Sequence, residues 1–362
     1  MLTFGIVITI IAGVVTFMHT VDDFGAPPSL EELKRYAGSA QLRNGRFANP
    51  GGADVQMDLN KGLQALREML TAKDTRPSQP LPTGFDVESD IAVPGSGEFA
   101  VTWFGHSAVL LELDGRRLLI DPMLGPAASP VPMFFGKRFA LEQPINIDRI
   151  PSVDAVLISH DHYDHLDKYS ILALASRVGH FYVPLGVGAH LLLWGVPQEK
   201  ITEMDWWDEA EVKGLRIAAT PAQHFSGRGM TDRNRTLWVS WVIQGGASIY
   251  FSGDSGYGEH FARIGERYGP FDFTMMECGQ YNEKWQPIHC LPEESVQAHL
   301  DLRGAVMMPI HWGAFTLAPH RWTEPLERVR IAAATQSVRL AVPMIGERFI
   351  PSRAVPFWDP AR

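Results

Sequence analysis

Between Ser159 and His165 the chain reads Ser-His-Asp-His-Tyr-Asp-His, which places three histidines and a carboxylate in the order His-x-His-x-Asp-His. Imidazole and carboxylate are the ligands that zinc, iron or manganese take when thiolate is absent. Cys278 and Cys290 are the only cysteines, so neither a disulfide framework nor a thiolate zinc site is expected. In an extended segment His160 and His162 point to one side, and a turn after them brings Asp164 and His165 toward a neighbouring point. Four residues cannot saturate two metals. Further candidates stand where apolar stretches end: His224 after Leu215–Thr220, Asp254 after Ser248–Phe251, and His311 after residues 305–310. Each alone reads as a hydrogen-bonded polar residue at a strand end. Together they complete a set of five histidines and two aspartates.

Strands must carry these residues to one place. Residues 99–104, 108–113 and 117–120 read as an antiparallel opening with Asp114-Gly115 as a hairpin turn. Residues 155–158, Leu215–Thr220, 237–243, Ser248–Phe251 and 305–310 read as further strands, with Gly245-Gly246 as a turn. Residues 169–178, 259–268 and 293–300 suit helices. Strands mixed with helices predict a layered α/β sandwich: two sheets packed together with helices outside, in one domain. Residues 22–97 form a polar, turn-rich lead-in with short helical patterns at 29–38 and 59–73, 98–345 the main domain, and 346–362 a C-terminal tail.

The 362 residues have an ordinary globular composition, 45% hydrophobic and 20% charged, which excludes multi-span membrane and disordered classes. The net charge of −9 argues against nucleic acid as a partner. Residues 1–21 carry no charged side chain, and 2–18 are almost wholly apolar. At about 1.5 Å per residue such a stretch just crosses a hydrocarbon core roughly 30 Å thick. An N-terminal membrane anchor or uncleaved signal is expected there. No basic residue precedes it, so the side of the membrane stays undecided, with a weak preference for the extracytoplasmic one.

The ordered ligand set resembles the metallo-β-lactamase superfamily, whose αββα fold agrees with the strand reading. The finer pattern is similar to the N-acyl-phosphatidylethanolamine-hydrolysing phospholipases D. The segments that carry it are Ala128-Ser129-Pro130 with Gly136-Lys137-Arg138-Phe139, Asp154 to His160, Val183-Pro184-Leu185-Gly186, Asp205-Trp206-Trp207, Gly269-Pro270-Phe271-Asp272 and Ile310-His311-Trp312-Gly313. The resemblance spans residues 99–315 and leaves the apolar start outside. It implies two zinc ions, with iron or manganese as alternatives: His160, His162 and His224 on one, Asp164, His165 and His311 on the other, and Asp254 between them. A hydroxide shared by the two metals would attack phosphorus, with Asp164 holding its proton. His289, ahead of Pro292-Glu293-Glu294, is the candidate acid for the leaving group. His106, Tyr163 and Trp285 are candidate substrate contacts. Trp206, Trp207, Trp238 and Trp241 either line an acyl groove or pack in the core. The expected partners are a phospholipid or similar amphiphile and a membrane surface, with a homodimer left open.

Departures from the pattern bear on substrate more than on reaction class. The segment from Trp285 to His289 is shorter than in the mammalian phospholipase, Cys278-Gly279-Gln280-Tyr281 replaces a less polar stretch, and Ala314 stands for a Thr. A lactonase or other ester hydrolase would use the same metals. A nuclease lacks a basic recognition arm here, a di-iron oxygen reductase would need a Glu in place of His162 and an attached flavin domain, and a non-catalytic metal scaffold is poorly motivated by an intact ligand set.

Overall fold

In β4 (Val109–Leu113) and β6 (Val153–Leu157) successive side chains serve two different cores. Val109, Leu111 and Leu113, like Ala155 and Leu157, enter the central core, whereas Leu110 and Val156 enter a second one beneath the outer helices. Period-two alternation persists although the runs are almost wholly apolar, because both faces of the sheet are covered. The computed structural model describes residues 21–53, 55, 59–85, 94–95, 97–131 and 136–360. The expected anchor at 1–21 falls outside them except for Val21. Among the described residues no helix is long and apolar enough to cross a membrane.

The lead-in contains α1 (Leu30–Leu33), started by a capping box between Ser29 and Glu32, the hairpin β1 (Leu42–Arg43) and β2 (Arg46–Phe47), and α2 (Leu59–Thr71). The first large sheet then opens with β3 (Phe99–Trp103), β4 and β5 (Arg116–Ile120). Asp114 and Gly115 turn the chain with φ of 50° and 77°, the left-handed pair that a tight hairpin requires. After β6 come α3 (Lys168–Leu174), β7 (Val178–Pro184), α4 (Gly188–Leu193) and β8 (Ile201–Met204). The second sheet is built from β9 (Glu209–Val212), β10 (Leu215–Thr220), β11 (Ser240–Gln244) and β12 (Ser248–Phe251). It continues past α5 (His260–Tyr268) with β13 (Phe271–Glu277), then past α6 (Pro292–Asp301) with β14 (Gly304–Ile310), and past α7 (Glu324–Thr335) with β15 (Arg339–Leu340). Strand β16 (Arg348–Phe349) returns to pair with β3.

The strand orders are β16-β3-β4-β5-β6-β7-β8 and β15-β14-β13-β12-β11-β10-β9. The two sheets share the central core, where Phe99 meets Phe273 edge-on at 5.6 Å. Helices α3 and α4 cover the outer face of the first sheet through Ile171, Leu174 and Leu191, and α5, α6 and α7 supply Phe261, Val296 and Leu326 to the second. The architecture is the expected αββα sandwich.

Two boundaries differ most from expectation. The helix predicted over 169–178 closes early because Arg177 donates to the carbonyls of Ile147, Asp148 and Ile150, and Val178 already belongs to β7. The strand predicted from 237 begins at Ser240. Before it, Leu237 and Val239 donate to the carbonyls of Leu185 and Ser159, just past the ends of β7 and β6 in the other layer, tying the layers together beside the site.

Candidate metal centre

Parallel pairing decides where the chemistry gathers. Strands β12, β13 and β14 run parallel, and two antiparallel steps through β11 give β10 the same direction. Their carboxyl ends therefore share one rim, which presents His224, Asp254, Glu277 and His311. Strands β5 and β6 are parallel in the other sheet, and their ends present Asp121 and His160. Close backbone approach fixes the bend before Asp254: Gly253 has φ 57°, and a Cβ there would meet the Val239 carbonyl oxygen at 2.8 Å. Gly279 lies so near His311 that a Cβ would fall 2.0 Å from its carbonyl oxygen.

Of three overlapping donor groups, two hold the predicted ligands, one of His160, His162, His224 and Asp254, the other of His106, Asp164, His165 and His311; the third joins Asp254 and His311 to Glu277 and His289. Asp254 reaches both of the first two. Its Oδ2 is 3.8 Å from His160 Nε2, 3.7 Å from His224 Nε2 and 3.1 Å from His165 Nε2, while Oδ1 is 3.1 Å from His311 Nδ1. Nε2 of His160 lies 2.8 Å from Nδ1 of His162, and Nε2 of His224 lies 3.2 Å from that same atom. Burial holds His160, His224 and His311 well below the ordinary imidazole value. Three ring nitrogens from three histidines thus converge on one point, the arrangement in which a cation would accept their lone pairs together.

The outward-facing nitrogens are anchored. His165 Nδ1 donates to Asp121 Oδ2 at 2.7 Å, and Asp121 also accepts from Ser159 N and Oγ. His224 Nδ1 donates to the Ile288 carbonyl at 2.9 Å. These bonds leave Nε2 of both rings free to ligate, the usual support for a metal-bound histidine. His165 Nε2 and Asp254 Oδ1 are buried without a hydrogen-bond partner. Burial disfavours charge on His165, yet Asp254, Asp164 and Asp121 together raise it well above its ordinary value. Orphaned donors in a negative cage fit a pair of divalent cations.

The donor groups open on a cavity of about 330 Å³. Its lining includes His162, Asp164, Asp254, His289 and His311, the apolar Val55, Phe225, Trp285, Ile288 and Leu317, and the polar Arg233 and Gln280. Of the expected substrate contacts, Trp285 lines this cavity. His106 does not: it is fully buried behind Asp164 and donates from Nε2 to Asp164 Oδ2 at 2.7 Å. Tyr163 is also outside the lining, because its hydroxyl donates to the Arg228 carbonyl at 2.7 Å and the Arg228 guanidinium lies 4.0 Å over its ring. Arg228 in turn donates to the carbonyls of Asp161 and Leu166, clamping the ligand loop, and to that of Asp23 in the lead-in. Trp206, Trp238 and Trp241 are core residues whose indole N–H groups reach the Trp238, Ala222 and Ile158 carbonyls.

Sequence reasoning missed Asp121 and Glu277. Both are carboxylates that end apolar strands, the same signal that marked Asp254. Glu277 is buried, accepts from Ser255 N and Cys290 N at 3.0 Å each, and holds His289 Nδ1 at 3.1 Å. Burial pushes its carboxyl up to about 7, against the pull of His289.

Residues 116–312 match the beta-lactamase superfamily domain. An uncharacterised protein of Mycobacterium tuberculosis is 43% identical over 330 residues, 88% of this chain and 87% of its own length. The N-acyl-phosphatidylethanolamine-hydrolysing phospholipase D 1 of Caenorhabditis elegans is 32% identical over 249 residues, 65% of this chain and 69% of that protein. A metallo hydrolase from the archaeon Ignicoccus hospitalis, 24% identical, superposes with a TM-score of 0.54 over 70% of this chain and 98% of its own.

Proposed function

The chain belongs to the beta-lactamase superfamily as a metal-dependent hydrolase, and from that premise we propose that it is a phosphodiesterase cleaving a phospholipid of the N-acyl-phosphatidylethanolamine kind at the headgroup side of phosphorus. The observation that carries this reading is Asp254, which stands within 3.1–3.8 Å of ring nitrogens from both donor groups at the floor of one half-apolar cavity. His160, His162 and His224 would hold one zinc ion and Asp164, His165 and His311 a second, with Asp254 between them; iron or manganese suit the same donors. When bound, such a pair supplies Lewis-acid stabilisation of phosphoryl oxygens and an acidified water.

The chain's own residues do the rest. His106 holds Asp164 Oδ2 where a proton from attacking water can be received. Glu277 fixes His289 by Nδ1, so Nε2 is the nitrogen left to protonate a departing alkoxide. Phe225, Trp285, Ile288 and Leu317 offer apolar wall to an acyl chain or glycerol backbone, and the Arg233 side chain offers positive charge to a phosphodiester. The nematode relative, named for this activity, supports the substrate class. Incubating the zinc-loaded protein with a phospholipid panel and identifying products by mass spectrometry tests the proposal. N-acylethanolamine with phosphatidic acid is the expected pair, absent in the Asp254→Asn variant. Full metal occupancy without turnover of any phosphodiester would overturn it.

A further inference from the structure

Helix α2 is mounted the reverse of a core helix. Leu63, Leu66 and Leu70 follow at helical spacing along one face and are 56%, 55% and 77% exposed. The side turned to the protein holds Ala65, Glu68 and Met69. Glu68 fastens it there, accepting from Lys284 Nζ at 2.6 and 2.8 Å and from Asn282 Nδ2 at 3.3 Å. The segment so fastened, 280–285, supplies Gln280 and Trp285 to the cavity, and Val55 lines it just ahead of the helix. The helix that carries the leucine face is thus fastened to the segment that walls the metal cavity.

We propose that this face docks on a phospholipid bilayer and seats the cavity mouth at the lipid surface. The inference deepens the phospholipase reading and rests on it for the reason a bilayer is approached. Charge selects a bilayer over a protein groove. Residues 59–76 carry Lys61, Arg67, Lys73 and Arg76 against Glu68 and Asp74, a net of +2 in a chain of −9. Exposed Arg67 flanks the stripe and exposed Lys73 follows it. An apolar stripe with basic flanks suits acyl chains below and phosphates beside them.

The test uses the full chain with Leu66→Cys carrying an environment-sensitive fluorophore, since both native cysteines are buried. Vesicles of phosphatidylcholine with phosphatidylglycerol, some bearing nitroxide-labelled acyl chains, are then added. A blue shift with nitroxide quenching at position 66 is expected, and neither at Ile331→Cys, which lies 70% exposed on α7. An unchanged spectrum overturns the proposal. So does a blue shift that follows protein concentration without vesicles, which marks a second copy, or one present in dilute protein, which marks the chain's own N-terminal segment. A Leu63→Gln, Leu66→Gln, Leu70→Gln variant should lose about tenfold or more in turnover of vesicle-borne substrate while a soluble phosphodiester is cleaved within about twofold of the parent rate. Insertion at position 66 without phospholipid cleavage would sink the substrate reading alone, and cleavage without insertion would sink the docking surface alone.

Discussion

His289 Nδ1 lies 3.1 Å from Glu277 Oε2 in the wall of the cavity, with Glu277 buried behind the ring. Burial lowers the affinity of His289 for a proton, but the Glu277 carboxylate more than offsets this and raises it above the ordinary value. The pairing therefore favours the protonated ring more than water does a free imidazole.

A group that protonates a leaving alkoxide matters in proportion to how poor the leaving group is. His289→Ala should lower kcat on a phospholipid about 10²–10³-fold while a p-nitrophenyl diester, whose phenolate departs unaided, loses less than about tenfold. Glu277→Gln should cost about tenfold on the lipid and shift the basic limb of the pH–rate profile downward. Equal losses on both substrates would assign His289 to packing.

Asp121 is predicted to govern metal retention without contributing a ligand atom. Its Oδ2 receives the His165 Nδ1 proton at 2.7 Å and both Ser159 donors reach its carboxylate. Asp121→Asn should weaken metal binding about 10–100-fold, measured by competition with a chromophoric chelator. Unaltered affinity would mean that backbone packing alone orients His165.

His299, on α6, is buried and paired to Thr274 Oγ1 at 2.7 Å. Burial lowers its value to about 4, against an unfolded value near 6.5. The unfolded chain takes up a proton first, so the stabilisation is whole above about pH 6.5 and is lost as pH falls toward 4. The loss approaches about 3 kcal/mol. Denaturant unfolding across this range should show a shallower slope in His299→Gln than in the parent chain.

The converging donor groups were legible because histidine and aspartate stand at the ends of apolar strands, where water-exposed turns would tolerate many residue types. The sandwich was legible from the same strands. Glu277 escaped because β13 was not anticipated, and a carboxylate declares its role only when His289 arrives from another segment. Tyr163 shows the converse: it sits between two ligands in sequence, yet Arg228, contributed by a distant loop, claims both its ring and its hydroxyl. Trp238 and Trp241 have the composition of a lipid groove and the burial of a core, a difference that only the packing of two sheets decides.

Hydrolysis in H₂¹⁸O tests the central claim most directly, because it records which atom water attacks. With N-acyl-phosphatidylethanolamine as substrate, the account predicts one ¹⁸O in the phosphate of the phosphatidic acid released and none in the N-acylethanolamine. Label in a fatty-acid carboxylate would contradict it and place the chemistry at a carbonyl ester.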